Sequence, residues 1–119
     1  MITFEKVNAD TKEAVKEMFA SHGLETEEVQ YCIKADDTYI GVIGYVVQDK
    51  RAQLSHFVIH FDYQGYGYGT NAYFTFEEMM KHRQIKEIKV AIQYVNDKAR
   101  AFLEGVGFTL DENGYIKRF

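Results

Sequence analysis

The chain has 119 residues, 46% apolar and 27% charged, which is enough for one buried core but not for two. Fourteen lysines and arginines against eighteen aspartates and glutamates give 14 − 18 = −4, a balance that argues against gripping a nucleic-acid backbone. The lone Cys32 excludes an intramolecular disulfide, no apolar run approaches the roughly 18 residues of a membrane span, and "MITFEKVNAD" lacks the layout of a secretion signal, so a single cytoplasmic domain over 1–119 is expected.

The first element, "ITFEKVN", alternates and reads as a short strand. "ADTKEAVKEMFASHG" predicts a helix: Asp10 and Glu13 form a capping box, Ala14, Val15, Met18 and Phe19 recur at helical spacing, and Gly23 closes the end. "VQYCIKA" and "YIGVIGYVV" are rich in β-branched and aromatic residues and flank the polar "DDT", which predicts a hairpin. After "QDKR" comes a further strand, "AQLSHFVIHF", and the short connections predict an antiparallel meander. Beyond the stretch "YQGYGYGTN", "NAYFTFEEMMKHR" puts Ala72, Tyr73, Phe76, Met79 and Met80 on one helical face. "IKEIKVAIQYV" then reads as a strand, "NDKARAFLEGVG" as a short helix, and "FTLDENGYIKRF" as a hairpin around Asn113-Gly114. The order β-α-β-β-β-α-β-α-β-β predicts an α/β fold, with a right-handed parallel crossover from about Gln53 to Val95.

Gly65, Gly67 and Gly69 stand between the fourth strand and the helix after it, with only Tyr66 and Tyr68 between them. The first N–H groups of that helix have no partner within it, and its N-terminus is the positive end of the helix dipole. A loop without side chains there leaves amides pointing at open space, which suits a phosphate. Gln64 and Thr70 add polar groups at its two ends, and the stretch reads as a pyrophosphate cradle. A dinucleotide fingerprint needs Gly-x-Gly-x-x-Gly after the first strand of its unit, and a P-loop needs Gly-Lys-Ser/Thr; neither is present. An RNA-recognition strand is countered by the helical periodicity that follows and by the net charge. The plain alternative is a structural turn with surface tyrosines.

"Q-G-Y-G-Y-G" resembles the Arg/Gln-x-x-Gly-x-Gly/Ala loop of the GNAT superfamily of N-acetyltransferases. About thirty residues later, "N-D-K-A-R-A-F-L-E-G-V-G-F" resembles that family's Asn-x-x-Ala…Gly-Phe helix. Either motif alone is weak, but two in this order and at this separation are specific. The resemblance covers nearly the whole chain and implies a GNAT-like, mixed and mostly antiparallel sheet flanked by helices. It implies acetyl-CoA as cofactor, with the pyrophosphate on Gly65, Tyr66, Gly67, Tyr68, Gly69 and Thr70 and with Gln64 opening the loop. The pantetheine arm would run along Phe57, Val58 and Ile59, meeting Asn96 and Phe102. The acceptor would be a small-molecule or peptide amine, and a homodimer is compatible with the family.

Acetyl transfer to an amine needs a neutral amine, a donor for the tetrahedral oxyanion and a proton for the departing thiolate. The family's oxyanion donor is a backbone N–H near the end of the fourth strand, here around Val58 or Ile59. The family's acidic or polar base on this strand has His56 as its counterpart, and imidazole is the side chain whose charge changes near neutral pH. His60, four residues on, shares its face in a regular strand and is the second candidate. Both also fit as sheet residues without a catalytic role. As a metal pair they lack a third ligand of suitable spacing, so no metal is expected. His22 and His82 are explained by the dipole at helix C-termini.

Many GNAT enzymes carry a tyrosine seven residues after the helix asparagine, where this chain has Leu103, and neighbouring Phe102 has no hydroxyl. Water or Tyr94, Tyr31 or Tyr45 would have to substitute. That departure motivates an alternative, a catalytically weak or inert acyl-CoA-binding module of the same fold. One helix and "HGLETEEV" join the first two strands, where the family commonly has two helices, so an open acceptor site is expected. Glu25, Glu27 and Glu28, with Asp36 and Asp37, would attract a cationic amine or else form a solvated loop. Cys32 reads as packing.

Overall fold

A computed structural model of the protein describes residues 1–91 and 96–119. Along the chain come β1 (Ile2–Lys6), α1 (Lys12–Ala20), β2 (Tyr31–Ala35), β3 (Thr38–Gln48), β4 (Arg51–Ile59), α2 (Tyr68–His82), β5 (Glu87–Ala91), α3 (Asp97–Gly105), β6 (Thr109–Asp111) and β7 (Gly114–Arg118). Short 3₁₀ turns at Ala9–Thr11 and Phe61–Tyr63 precede the first two helices. This is the expected order of strands and helices, and the seven strands form one mixed sheet in the order β1-β2-β3-β4-β5-β7-β6. The turn from β3 to β4 needs no glycine: Asp49 and Lys50 both take positive φ, 52° and 63°, the pattern of a two-residue hairpin loop that matches strand twist. By its contacts the chain divides into two compact units, Met1–Gly44 with His56–Thr75, and Tyr45–Ser55 with Phe76–Phe119.

In the first unit β1 and β2 pair antiparallel from Ile2↔Ala35 to Lys6↔Tyr31, and β2 pairs antiparallel with β3. Helix α1 buries Val15, Met18 and Phe19 against Cys32 and Val42, and Val7, Val29, Tyr39 and Val58 complete this core. The capping box is not the expected Asp10 and Glu13. The Asn8 side chain accepts from the Asp10 N–H (2.8 Å) and the Thr11 hydroxyl accepts from the Asn8 N–H (2.9 Å), because a 3₁₀ turn intervenes before the helix. Gly23 does close α1, with φ +69° and the Leu24 N–H bonded back to the Phe19 carbonyl (3.0 Å). β4 stops at Ile59, so His60 is not a strand residue on the face of His56; it is the N-cap of the following 3₁₀ turn. Helix α2 starts at Tyr68, three residues before the expected Asn71, taking Gly69 and Thr70 into its first turn.

In the second unit β4 and β5 are parallel, pairing Arg51↔Glu87, Ala52↔Ile88 and Gln53↔Lys89, as the crossover reading requires. β7 lies antiparallel to both β5 and β6. Asp111 pairs with Gly114, so Glu112 and Asn113 form the hairpin turn, one residue earlier than expected. Glu77 of α2 is buried, at 4% exposure, and is matched by the Lys117 ammonium at 2.6 Å and that of Lys81 at 3.2 Å. Among the described residues no helix is long and apolar enough to cross a membrane.

Candidate functional site

Gly65 and Gly67 have φ of +86° and +83°, the left-handed region that strains any residue with a Cβ. A Cβ built on either would meet no atom within 4 Å, so close packing is not what asks for glycine there. The first helical bond of α2 runs from the Asn71 N–H to the Gly67 carbonyl (3.0 Å). The N–H groups of Tyr68, Gly69 and Thr70 precede that bond, and among the described residues nothing accepts from them. Open amides at the positive end of a helix, beside a bare loop, fit a diphosphate.

The end of β4 is fixed by side chains from outside the strand. The Ile59 carbonyl lies 2.7 Å from His22 Nε2 and accepts from Gln64 Nε2 at 3.2 Å, the two side-chain nitrogens being 3.2 Å apart. The next N–H, that of His60, donates to the Ile40 carbonyl (2.8 Å), so the peptide joining Ile59 to His60 is held on both sides. Ser21 Oγ accepts from the Phe61 N–H (3.2 Å) and ties the following turn to the end of α1. His22 does follow α1, but its ring serves β4, a pairing across 37 residues that leaves no local signal in the sequence. On β3, a Cβ at Gly41 would come within 2.2 Å of the Val58 carbonyl oxygen. A glycine inside a strand is the usual sign of such close backbone approach, and here it is the signal that sequence reasoning passed over.

His56 points its Nε2 at Glu27, 3.4 Å from Oε2, and its ring meets Phe19 edge-on at 6.1 Å. Of the three glutamates in the connection from α1 to β2, one is therefore an imidazole partner. His60 spends its Nδ1 lone pair accepting from the Asp62 N–H (3.0 Å), with the Asp62 carboxylate 3.8 Å away. Phe57 is half-buried, Ile59 buried, and the Val58 side chain packs into the α1 core, so at Val58 only the backbone remains for a ligand. Cys32 is 1% exposed and burial pushes its thiol up, which fits packing. An open cleft of about 810 Å³ lies beside α1, with Lys12 and Lys16 on the helix, Glu27 and Glu28 on the connection, and Val7 and Val15 at its base.

His56, Phe57–Ile59, His60, Gln64 and the loop 65–70 thus share the first unit, whereas Asn96 and Phe102 belong to the second. Asn96 is the N-cap of α3, its side-chain oxygen accepting from the Ala99 N–H (2.8 Å), so that its amide hydrogens are what it could offer a ligand. Phe102 is half-buried and Leu103 lies in the core at 5% exposure. Of the tyrosines considered as acids, Tyr45 receives a bond from Arg83 (3.3 Å), Tyr31 is half-buried in β2, and Tyr94 lies outside the described residues. Among the described residues no cluster of three or more histidine, cysteine or acidic side chains could hold a metal ion.

A family model described as acetyltransferase (GNAT) family matches residues 2–108. No curated protein matches the sequence. Among solved structures, an acetyltransferase from Thermus thermophilus superposes with a TM-score of 0.78 at 18% identity, covering 100% of this chain and 97% of its own. The ribosomal-protein-S18-alanine N-acetyltransferase of Escherichia coli gives 0.76 at 14% identity, covering 98% and 89%. The PaiA N-acetyltransferase of Thermoplasma acidophilum, solved with coenzyme A, gives 0.75 at 18% identity, covering 100% and 99%.

Proposed function

Because this chain belongs to the acetyltransferase (GNAT) family, we propose that it binds acetyl-CoA and passes the acetyl group to a primary amine within one ternary complex. The observation that carries the reading is the glycine loop, with its two left-handed glycines facing open space and three unpartnered amides at the start of α2. Three or four bonds from such amides to charged oxygens, each about 1.5–3 kcal/mol, would account for most of a micromolar affinity. The coenzyme A in the PaiA structure supports the choice of diphosphate ligand. Asn96 and Phe102 would hold the pantetheine arm.

Bound acetyl-CoA supplies an activated thioester carbonyl. His56 accepts the proton that the attacking amine releases, and Glu27 balances the charge the ring then gains. The Glu27 side chain is 66% exposed, so solvent screens much of that attraction and its main effect is on ring orientation. His60 is the second candidate, its Nδ1 already engaged by the Asp62 N–H. The backbone N–H of Val58 or Ile59 would donate to the thioester carbonyl oxygen as charge builds there, on a strand end that Gly41, His22 and Gln64 keep in place. Leu103 carries no transferable proton, so the proton for the thiol product would come from water.

Acetyl-CoA at about 100 times its dissociation constant should stabilise the fold by about 2.7 kcal/mol, a melting shift of several degrees. Gly67→Val should remove the shift while the protein still folds; an undiminished shift in that variant would refute the cradle. The buried Leu103 also favours a second reading, a weak or inert acyl-CoA-binding module. Free-thiol release from acetyl-CoA across a panel of amines separates the two, because the module stays silent throughout.

A further inference from the structure

We infer that Tyr66 is a stacking platform for the adenine ring of the cofactor, so that this chain grips the nucleoside end of acetyl-CoA as well as its diphosphate. The inference rests on the cofactor reading above and adds a residue whose role is base recognition. Tyr66 is 75% exposed, above Phe61 at 64% and Phe74 at 41%. Polar side chains are the ordinary occupants of such a turn, and an aromatic ring there asks for an explanation.

Its setting is built. The two flanking left-handed glycines fix the direction in which the backbone presents the ring. Behind it runs a row of aromatic contacts: His60 to Tyr63 at 5.8 Å, Tyr63 to Tyr68 at 6.2 Å, and Tyr68 to Tyr66 at 6.4 Å with the last two planes tilted by 53°. This row starts at the residue after β4 and braces the ring from one side, leaving it open to solvent on the other. A tyrosine has few torsions to freeze, so a braced ring loses little entropy when a flat partner lands on it. The diphosphate expected on the amides of 68–70 is joined to adenine through one ribose. The base therefore leaves the cradle a few bonds from it, beside the residue between Gly65 and Gly67. Stacking needs no charge, which suits an acidic chain that offers no basic side chain in the loop itself.

The test compares two probes by calorimetry on the whole chain: acetyl-CoA, and S-acetylpantetheine 4′-diphosphate, which keeps the diphosphate and lacks the nucleoside. Tyr66→Ala should weaken acetyl-CoA by roughly 5- to 150-fold, the range for losing one base–aromatic stack, and change the shorter probe less than about twofold. Tyr66→Phe should keep wild-type affinity, since the ring and not the hydroxyl matters, and Phe61→Ala should leave both affinities unchanged. Equal weakening of both probes by Tyr66→Ala would mean that only the loop geometry had been disturbed, and would overturn the stack. So would no weakening of either, or a nucleoside-specific loss in Phe61→Ala instead. If the wild-type protein binds neither probe, the cofactor reading itself fails, a result distinguishable from the other outcomes. The unliganded melting temperature of each variant checks the fold, which an exposed loop ring should hardly affect.

Discussion

Gly41→Ala isolates the close approach of β3 and β4. Replacing glycine by alanine ordinarily stabilises a protein by about 0.4–1 kcal/mol, because the unfolded chain loses freedom. Here the new Cβ would sit 2.2 Å from the Val58 carbonyl oxygen, 3.2 Å from its carbon and 3.1 Å from Ile59 Cδ1. Ordinary contact starts at 3.4 Å, so about 3.4 − 2.2 = 1.2 Å must be found, and the first obstacle is backbone, which cannot rotate aside. Overpacking of this kind costs about 1–3 kcal/mol, and a backbone obstacle argues for the upper part of that range. The steric term should win, leaving a net loss of about 2 kcal/mol and a melting temperature lower by roughly 8 °C. If the fold yields instead by displacing the end of β4, the proposed oxyanion donor moves by about 1 Å, a misplacement able to cost about 100-fold in rate. Gly105→Ala is the matched control: it lies in α3, its Cβ would meet nothing within 4 Å, and it should gain about 0.5–1 kcal/mol. Urea unfolding of both variants reads the difference. Equal stability of Gly41→Ala and wild type would refute the contact, and with it the account of how β4 is held.

Three further outcomes follow from particular contacts. His56→Ala should lower the turnover of thiol release about 10²- to 10⁴-fold while leaving the stabilisation by acetyl-CoA intact; loss of both together would point to a structural role for the ring. Glu77→Ala leaves the Lys117 ammonium, with 20% of its side chain exposed, without its carboxylate, and should cost about 3 kcal/mol in urea unfolding. Tyr39 donates to the Glu5 carboxylate, and that bond, with some help from burial, raises its phenol to about 12. A raised phenol supports the fold fully below the ordinary pKa near 10 and loses that support as pH climbs from there towards about 12. Absorbance titration should find Tyr39 titrating late, alongside a Tyr115 that burial also raises, and Glu5→Gln should return only Tyr39 to the normal range.

Much of the fold was legible because its signals are local. Val15, Met18 and Phe19 announce α1 by spacing, and the β-branched runs with short polar joints announce β2 to β4. Errors came at element ends, where a neighbour's geometry decides. Asn8 took the cap in place of Asp10 because a 3₁₀ turn came first, and His60 left the strand because its ring could cap the turn after Ile59. In the candidate site, the turn at Gly65 and Gly67 and the helix that begins after Asn96 were readable, since each is set by its own backbone or its own helix. Glu27 against His56, and His22 on the Ile59 carbonyl, were not readable, because each joins segments with no sequence relation.

The sequence by itself determined which elements form, their order, and a bare loop ahead of α2, since periodicity and the absence of a Cβ act within a few residues. Tertiary structure alone decided that His56 meets Glu27, which carbonyl two side chains share, and why Gly41 must be glycine. Those depend on distances between atoms far apart in the chain, and such distances exist only once the strands have been brought side by side.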